Sequence, residues 1–320
     1  MRVVITGGAG FIGSHIAEAL CRSGADVVVV DDLSLGSLDN LNWAKGNDRV
    51  EFVKGSVLDS ALLRKLLLGC DVVFHQAAWP SVPMSVSQPV LTDEINLHGT
   101  VVLLNEAANA RVKRFIFASS SAVYGDVGAS LCVESQCPAP QSPYALQKLA
   151  SEFYCRYFYN FYGLPTVCLR YFNVFGPRQS FTSQYSGVIA KFCTACIKGE
   201  TPIVFGDGLQ SRDFVYIDNV VDANILAANA PAEKVAGRVF NIAGGQSVTL
   251  LDLLKELGNI TGLVIRPKFE TARPGDIKHS RADISLARSA FGFEPIVDWR
   301  AGLRKTFEFY KSNISGERTP

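Results

Sequence analysis

The chain has 320 residues, 48% of them hydrophobic and 19% charged, a composition that buries a sizeable core and leaves no disordered bulk. Its 31 basic and 30 acidic residues give a net charge of +1, so there is no long-range field to favour nucleic acid or a membrane surface as partner. No apolar run approaches the roughly 20 residues of a membrane helix; with no leader pattern after Met1 and eight dispersed cysteines that read as reduced thiols, a cytoplasmic protein is expected.

In chain order, Val-rich runs at 2–6, 26–31, 49–54, 71–75 and 114–119 alternate with helical patterns near 13–23, 60–68 and 94–110. A long helix is expected over 144–162 and a sixth strand over 166–172. Continuous apolar strands separated by helices indicate a parallel sheet covered on both faces, a doubly wound α/β fold of the Rossmann type. After residue 176 Pro and Gly punctuation increases. Short strands at 201–205 and 238–242 mix with helices near 187–198, 218–229 and 249–258, as in a smaller mixed α/β region. The expected division is 1–176 for the dinucleotide and 177–320 mainly for the substrate, with 214–243 returning to the first unit. Cys193 and Cys196 form a CxxC inside a helical pattern, with no second pair to complete a metal site.

Gly7, Gly10 and Gly13 follow the first strand and open a helix. Gly7 permits a tight turn, Gly10 lets the backbone approach a pyrophosphate, and Gly13 packs the helix against the strand. The helix N-terminus then faces the phosphates. Asp31, at the end of the second strand and about 20 residues on, suits the adenosine ribose. A carboxylate there repels a 2′-phosphate, so NAD is expected rather than NADP.

Tyr144 and Lys148 stand at i and i+4 on one helix face, and Pro143 suits a helix start. A phenol is a poor base at neutral pH. A nearby ammonium and the positive nicotinamide stabilise its phenolate and make it usable. The lysine can also hold the nicotinamide ribose. Ser119, Ser120 and Ser121 end the strand at 114–119, at the edge where such sheets bind ligands.

These stretches together resemble the extended short-chain dehydrogenase/reductases that act on nucleotide sugars, and among them the NAD-dependent UDP-hexose 4-epimerase type. The resemblance covers nearly the whole chain: residues 6–15, 31–34, 75–78, 119–125, 144–148, 169–173, 206–216 and 273–276. It implies Tyr144 as catalytic base, Lys148 as its partner and Ser120 as the hydroxyl on the reacting sugar oxygen, with Ser121 close behind. It implies an NAD site lined by Gly7, Gly10, Phe11, Ile12, Gly13, Asp31, Asp32, Ser34, Gly36, Ser56, Val57, Gln76, Ala77, Ala78, Asn96, Ser119, Tyr144, Lys148, Tyr171 and Phe172. For the UDP-sugar it implies Ser120, Ser121, Tyr144, Asn173, Gly187, Val188, Val204, Arg212, Arg273, Asp276 and Ser280, with arginines suited to forked phosphate contact. No metal is implied. The long helices at 94–110 and 144–162 would pair across a two-fold axis in a homodimer.

The chain departs from these relatives at telling positions. Ser56 stands where they carry an Asp that meets the adenine, and Asp59 is available to compensate. Ser121-Ala122 stands where dehydratases carry an Asp-Glu pair and UDP-glucuronate decarboxylases a Glu. Without an added acid–base pair, dehydration is hard to run, which leaves oxidation at C4 and return of the hydride to the other face. Residues 179–182 lack the Arg of glucuronate enzymes, and Met84 replaces a frequent Arg. Ser280, fourth after Asp276, lies in relatives against the C2 substituent of the sugar; being small, it favours UDP-N-acetylglucosamine and UDP-N-acetylgalactosamine. The alternatives are UDP-glucose and UDP-galactose, in a bifunctional enzyme or not, then UDP-glucuronate, and outside enzymes an NAD-binding sensor or scaffold.

Overall fold

A computed structural model describes residues 1–128, 130–181, 187–272 and 278–316. Strands β1 (Arg2–Thr6), β2 (Asp26–Asp31), β3 (Val50–Lys54), β4 (Val72–His75), β5 (Arg114–Ser120) and β6 (Thr166–Tyr171) join the edge strand Arg238–Ile242 in one sheet. The sheet is parallel throughout and runs Arg238–Ile242, β6, β5, β4, β1, β2, β3. The segment 214–243 therefore supplies a strand to the main sheet, and its helix Ile217–Asn229 packs on the first helix, Phe11–Arg22.

Burial explains the unbroken apolar runs. Val3, Ile5, Val27, Val29 and Phe74 enter one core, while Val4, Val28, Val30, Val73 and Phe115 enter the core on the opposite face. Alternate residues thus point to opposite sides, and both sides are covered by helices. Winding reverses between β1 and β4, and at that switch point the carboxyl ends of the strands open a crevice.

The helix Pro143–Tyr162 begins where the Ser142 hydroxyl accepts the Ala145 N–H and Pro143 takes the first helical position. The helix expected near 94–110 is formed by a single π-helical turn at Glu94–His98 running on into Gly99–Asn109, with the short helix Pro89–Asp93 just before it. Such π-turns concentrate at functional sites, and this one carries Asn96. A C-terminal helix, Trp299–Gly316, was not anticipated from the sequence.

The rest of the chain forms two-stranded pairs at the carboxyl edge of the sheet. Phe214–Tyr216 runs parallel to Asn173–Phe175, Val248–Thr249 antiparallel to Ser211–Arg212, and Lys268–Glu270 parallel to Ile203–Phe205. Among the described residues no helix is long and apolar enough to cross a membrane. Cys193 is buried and Cys196 half-buried, and burial pushes both thiols up, away from the reactive thiolate.

Candidate active site

The Gly-rich turn fits a dinucleotide on steric grounds. Gly7 has φ +65°, and a Cβ there would stand 2.6 Å from the Ala77 nitrogen. A Cβ on Gly13 would strike the Gly7 carbonyl, while Gly10 meets only that carbonyl oxygen, at 3.0 Å, on the side a side chain would occupy. The Asp31 carboxylate accepts the Ala9 N–H at 3.0 Å and the Leu33 N–H at 2.8 Å, tying the second strand's end to the turn. Burial pushes its pKa up, and these N–H donors pull it back. Gly36 has no room for a side chain, since a Cβ would lie 2.8 Å from an Asp31 oxygen. Glycine at these positions keeps the turn free of side chains and leaves the Asp31 carboxylate in place, the form a phosphate cradle and a ribose-binding acid require.

Opposite this turn, Trp79 Nε1 donates to Ser34 at 3.3 Å, joining the loops after β2 and β4. Asn96 holds the second loop: its Oδ1 accepts the Trp79 N–H at 2.8 Å and its Nδ2 donates to Gln147 at 2.9 Å. Its side chain thus shapes the wall of the crevice. Gln76 Nε2 donates to the Tyr171 hydroxyl at 3.2 Å, and Asn224 Nδ2 donates to the same hydroxyl at 2.8 Å. Phe172 and Val57 are buried, and Asp32 is exposed with Ser34 N–H on its carboxylate. Ser56 accepts the Leu58 N–H, and Asp59 caps the helix Ser60–Leu66 through the Leu62 N–H. Asp59 is thereby engaged in capping.

At the deep end, Ser120 lies close enough to the Tyr144 hydroxyl to lower its pKa, while its own hydroxyl accepts the Ala122 N–H at 3.2 Å. Lys148 Nζ lies 5.9 Å from the centre of the Tyr144 ring and donates to the Ala118 carbonyl at 2.8 Å. Burial pushes the phenol up and the Ser120 hydrogen bond pulls it down, while burial lowers Lys148 to about 8. The helix start is pinned from outside, since Ser85 accepts the Tyr144 N–H at 3.1 Å. Ser119 turns away from the crevice and donates to Glu152 at 2.5 Å. Ser121 opens the short 3-10 turn Ser121–Tyr124, which contains no carboxylate. His75, fully buried between Thr6 at 2.7 Å and Thr100 at 2.9 Å, is pushed down to about 3 by burial and stays neutral.

The substrate candidates gather around one extended segment. Asn173 donates through its backbone and side chain to the Asp213 carbonyl, at 3.1 and 3.3 Å. Ser280 N–H donates to the Ser211 carbonyl at 3.1 Å, and Arg212 Nη1 to the same carbonyl at 3.0 Å. Asn173, Arg212 and Ser280 therefore sit on adjoining backbone. Gly187 caps the helix that starts at Val188. Val204 is fully buried in Ile203–Phe205 and pairs with Phe269. Arg273 and Asp276 lie outside the described residues. Sequence reasoning missed Glu152, Ser85 and Asp213. Glu152 stands at i+8 from Tyr144, a spacing that places it on the same face. Asp213 is fully buried beside Arg212 and accepts the Gly244 N–H at 2.8 Å and the Ala282 N–H at 3.1 Å.

A strand–turn–helix dinucleotide cradle in one crevice with a Tyr–Lys–Ser constellation defines a family. Residues 3–243 match the NAD-dependent epimerase/dehydratase family. The chain belongs to that family. It is 38% identical over 314 residues, 98% of this chain and 99% of the relative, to a UDP-glucose 4-epimerase of Mycolicibacterium smegmatis. Its fold is similar to that of a UDP-N-acetylglucosamine 4-epimerase from Methanobrevibacter ruminantium in complex with UDP-N-acetylmuramic acid, at 42% identity and TM-score 0.93 over 98% of both chains. It is similar also to a Thermus thermophilus UDP-glucose 4-epimerase in complex with NAD, at 34% identity and TM-score 0.86 over 97% of this chain and 99% of that one. This family member is an NAD-dependent enzyme of the nucleotide-sugar 4-epimerase type, within the extended short-chain dehydrogenase/reductases.

Proposed function

We propose that this enzyme inverts C4 of a UDP-N-acetylhexosamine, interconverting UDP-N-acetylglucosamine and UDP-N-acetylgalactosamine through a transient 4-keto sugar. Tyr144 takes the proton from the C4 hydroxyl with Ser120 hydrogen-bonded to the same oxygen, and Lys148 stabilises the phenolate. When bound, NAD supplies a hydride acceptor at C4 that is restored in each cycle, together with a fixed positive charge beside the phenol. Residues 7–13, Asp31 and the 76–79 loop hold it. The sugar must turn over between the two half-reactions, so recognition rests on the nucleotide. Asn173 and Arg212, with Arg273 and Asp276, are the expected anchors for diphosphate and ribose. In this proposal, residues 1–176 and a returning 214–243 carry the cofactor, and 177–320 mainly the UDP-sugar.

The observation that carries the acetylated sugar is Ser280. Its backbone is joined to Ser211, beside Arg212, and in this proposal the smallness of its side chain is what admits a C2 acetamide. The similarity to the Methanobrevibacter enzyme supports the same reading. The carboxylate-free turn Ser121–Tyr124 supports epimerisation over dehydration. The second reading is the UDP-glucose/UDP-galactose pair, favoured by the M. smegmatis relative, and a Ser280 that tolerates both sugars gives a bifunctional enzyme.

Ser280→Tyr tests the assignment. The ring collides with the acetamide while UDP-glucose keeps room to turn. Overpacking of about 1–3 kcal/mol lowers kcat/KM on the acetylated sugars roughly 5- to 150-fold. Full activity of the variant on those sugars removes Ser280 from the C2 pocket.

The helix Pro143–Tyr162 leaves Leu146, Phe153, Tyr157 and Phe161 exposed at spacings of seven, four and four residues. A contiguous apolar stripe of this kind marks an interaction surface. Its occupant in this reading is a second copy of the chain, pairing isologously. Eight free cysteines agree with a reducing, cytoplasmic setting.

A further inference from the structure

The helix face that presents Tyr144 and Lys148 continues one turn further to Glu152, and each residue reaches one residue of the β5 end. Tyr144 meets Ser120, Lys148 meets the Ala118 carbonyl at 2.8 Å, and Glu152 accepts from Ser119 at 2.5 Å. Three rungs at i, i+4 and i+8 therefore lock the strand end to the helix. The third rung is anchored from the neighbouring strand. Arg170, the register partner of Ser119 on β6, grips both Glu152 oxygens at 2.8 and 2.7 Å, and its guanidinium lies 4.7 Å from the centre of the Tyr124 ring. Every member is buried: Ser119, Arg170 and Glu152 expose 5% or less of their surface.

An ion pair this deep is a poor source of stability, because desolvation offsets most of its attraction. What it supplies is direction. The carboxylate cannot rotate while the guanidinium holds both oxygens, so the hydroxyl of Ser119 has one place to donate. That fixes the torsions of the strand end immediately before Ser120.

We infer that Glu152, clamped by Arg170, is a positioning residue for the reaction: through Ser119 it sets the Ser120 hydroxyl against the Tyr144 oxygen. The inference rests on the reading of Tyr144 as base. The titratable and charged groups packed around the Tyr144–Lys148 pair are Glu152 and Cys155 on the helix, His75 on β4, and Cys168 and Arg170 on β6. Of the hydrogen bonds described, the Ser120 contact is the one that lowers the phenol toward usefulness. A loosened strand end weakens it, so the phenol titrates at higher pH.

The test uses the NAD-bound enzyme with UDP-N-acetylglucosamine and UDP-glucose as probes. Ser119→Ala removes the rung and leaves the ion pair intact. We expect kcat to fall roughly tenfold or more, as small misplacements do, with KM within about twofold and NAD retained. The acid limb of kcat moves to higher pH. Ser119→Thr, which restores the hydroxyl, recovers both rate and profile. Tyr144→Phe runs alongside. If it retains turnover, the reading of the base fails; if it is inactive while Ser119→Ala keeps the wild-type kcat and acid limb, the positioning role is overturned alone. A Ser119→Ala protein that does not fold shifts the decision to Ser119→Thr, which sinks the inference if it folds but keeps a depressed rate despite a Ser119-like hydrogen bond to Glu152.

Discussion

Tyr144 and Lys148 share a buried pocket in which burial disfavours both the phenolate and the ammonium. In the proposed mechanism, what makes the pair workable is Ser120, which lowers the phenol, and a cation beside the ring. Tyr144→Phe keeps the fold and the NAD but loses the oxygen that moves the proton, so kcat falls about 10²- to 10⁴-fold. Steady-state kinetics with intact NAD content checks it. Burial draws the Lys148 ammonium down to about 8; in the proposed role as the ammonium it gives kcat an alkaline limb, with activity lost as pH rises through that value. A rate profile from pH 6 to 10 reads this directly; a rate still climbing past pH 9 contradicts the assigned role. Asp213 is a different case. Burial pushes it up to about 7, while backbone N–H groups of Ala282 and Gly244 point at it. Asp213→Asn turns donors toward donors, which costs about 1–3 kcal/mol, seen as a lower urea midpoint.

Among elements, the strand–turn–helix start was the most legible part of the chain, because glycine spacing and continuous Val runs each have one physical meaning. The 2–6, 26–31 and 144–162 expectations match elements to within a residue or so. The helix expected near 94–110 forms, but apolar periodicity does not register its opening π-turn at Glu94–His98, where Asn96 reaches Trp79 and Gln147. Tyr144, Lys148 and Ser120, candidates by residue type, were readable from the sequence and lie together at the β5 end. Those that act by holding others were not, because Glu152 and Ser85 acquire meaning only from partners 33 and 59 residues away. Ser121 stands close behind Ser120 in the sequence reading and Ser119 among the NAD-site candidates; strand alternation turns Ser119 to the side opposite Ser120, onto Glu152. At this scale Ser142→Ala removes the cap that orders the helix start. About 1 kcal/mol of stability is lost, measurable by thermal unfolding, and Tyr144 at the second helical position loosens with it.

The whole molecule sets three two-stranded pairs beside one seven-stranded parallel sheet, and the proposal gives the sheet the cofactor and the pairs mainly the UDP-sugar. This division suits a reaction that keeps its nucleotide and frees its sugar. The exposed stripe on Pro143–Tyr162 lies on the same helix as Tyr144, so the proposed dimer contact and the proposed base share one element. Phe153→Asp with Phe161→Asp converts a dimer to a monomer in light scattering; an unchanged mass shows that the stripe is not the interface. The most direct measurement incubates the purified enzyme with UDP-N-acetylglucosamine and follows C4 configuration by NMR while absorbance tracks NADH. The account predicts a mixture of UDP-N-acetylglucosamine and UDP-N-acetylgalactosamine, reached from either side, with no build-up of NADH and no added NAD consumed. An acetylated sugar left unturned while UDP-glucose is epimerised, or NADH accumulating in step with an oxidised product, would contradict it.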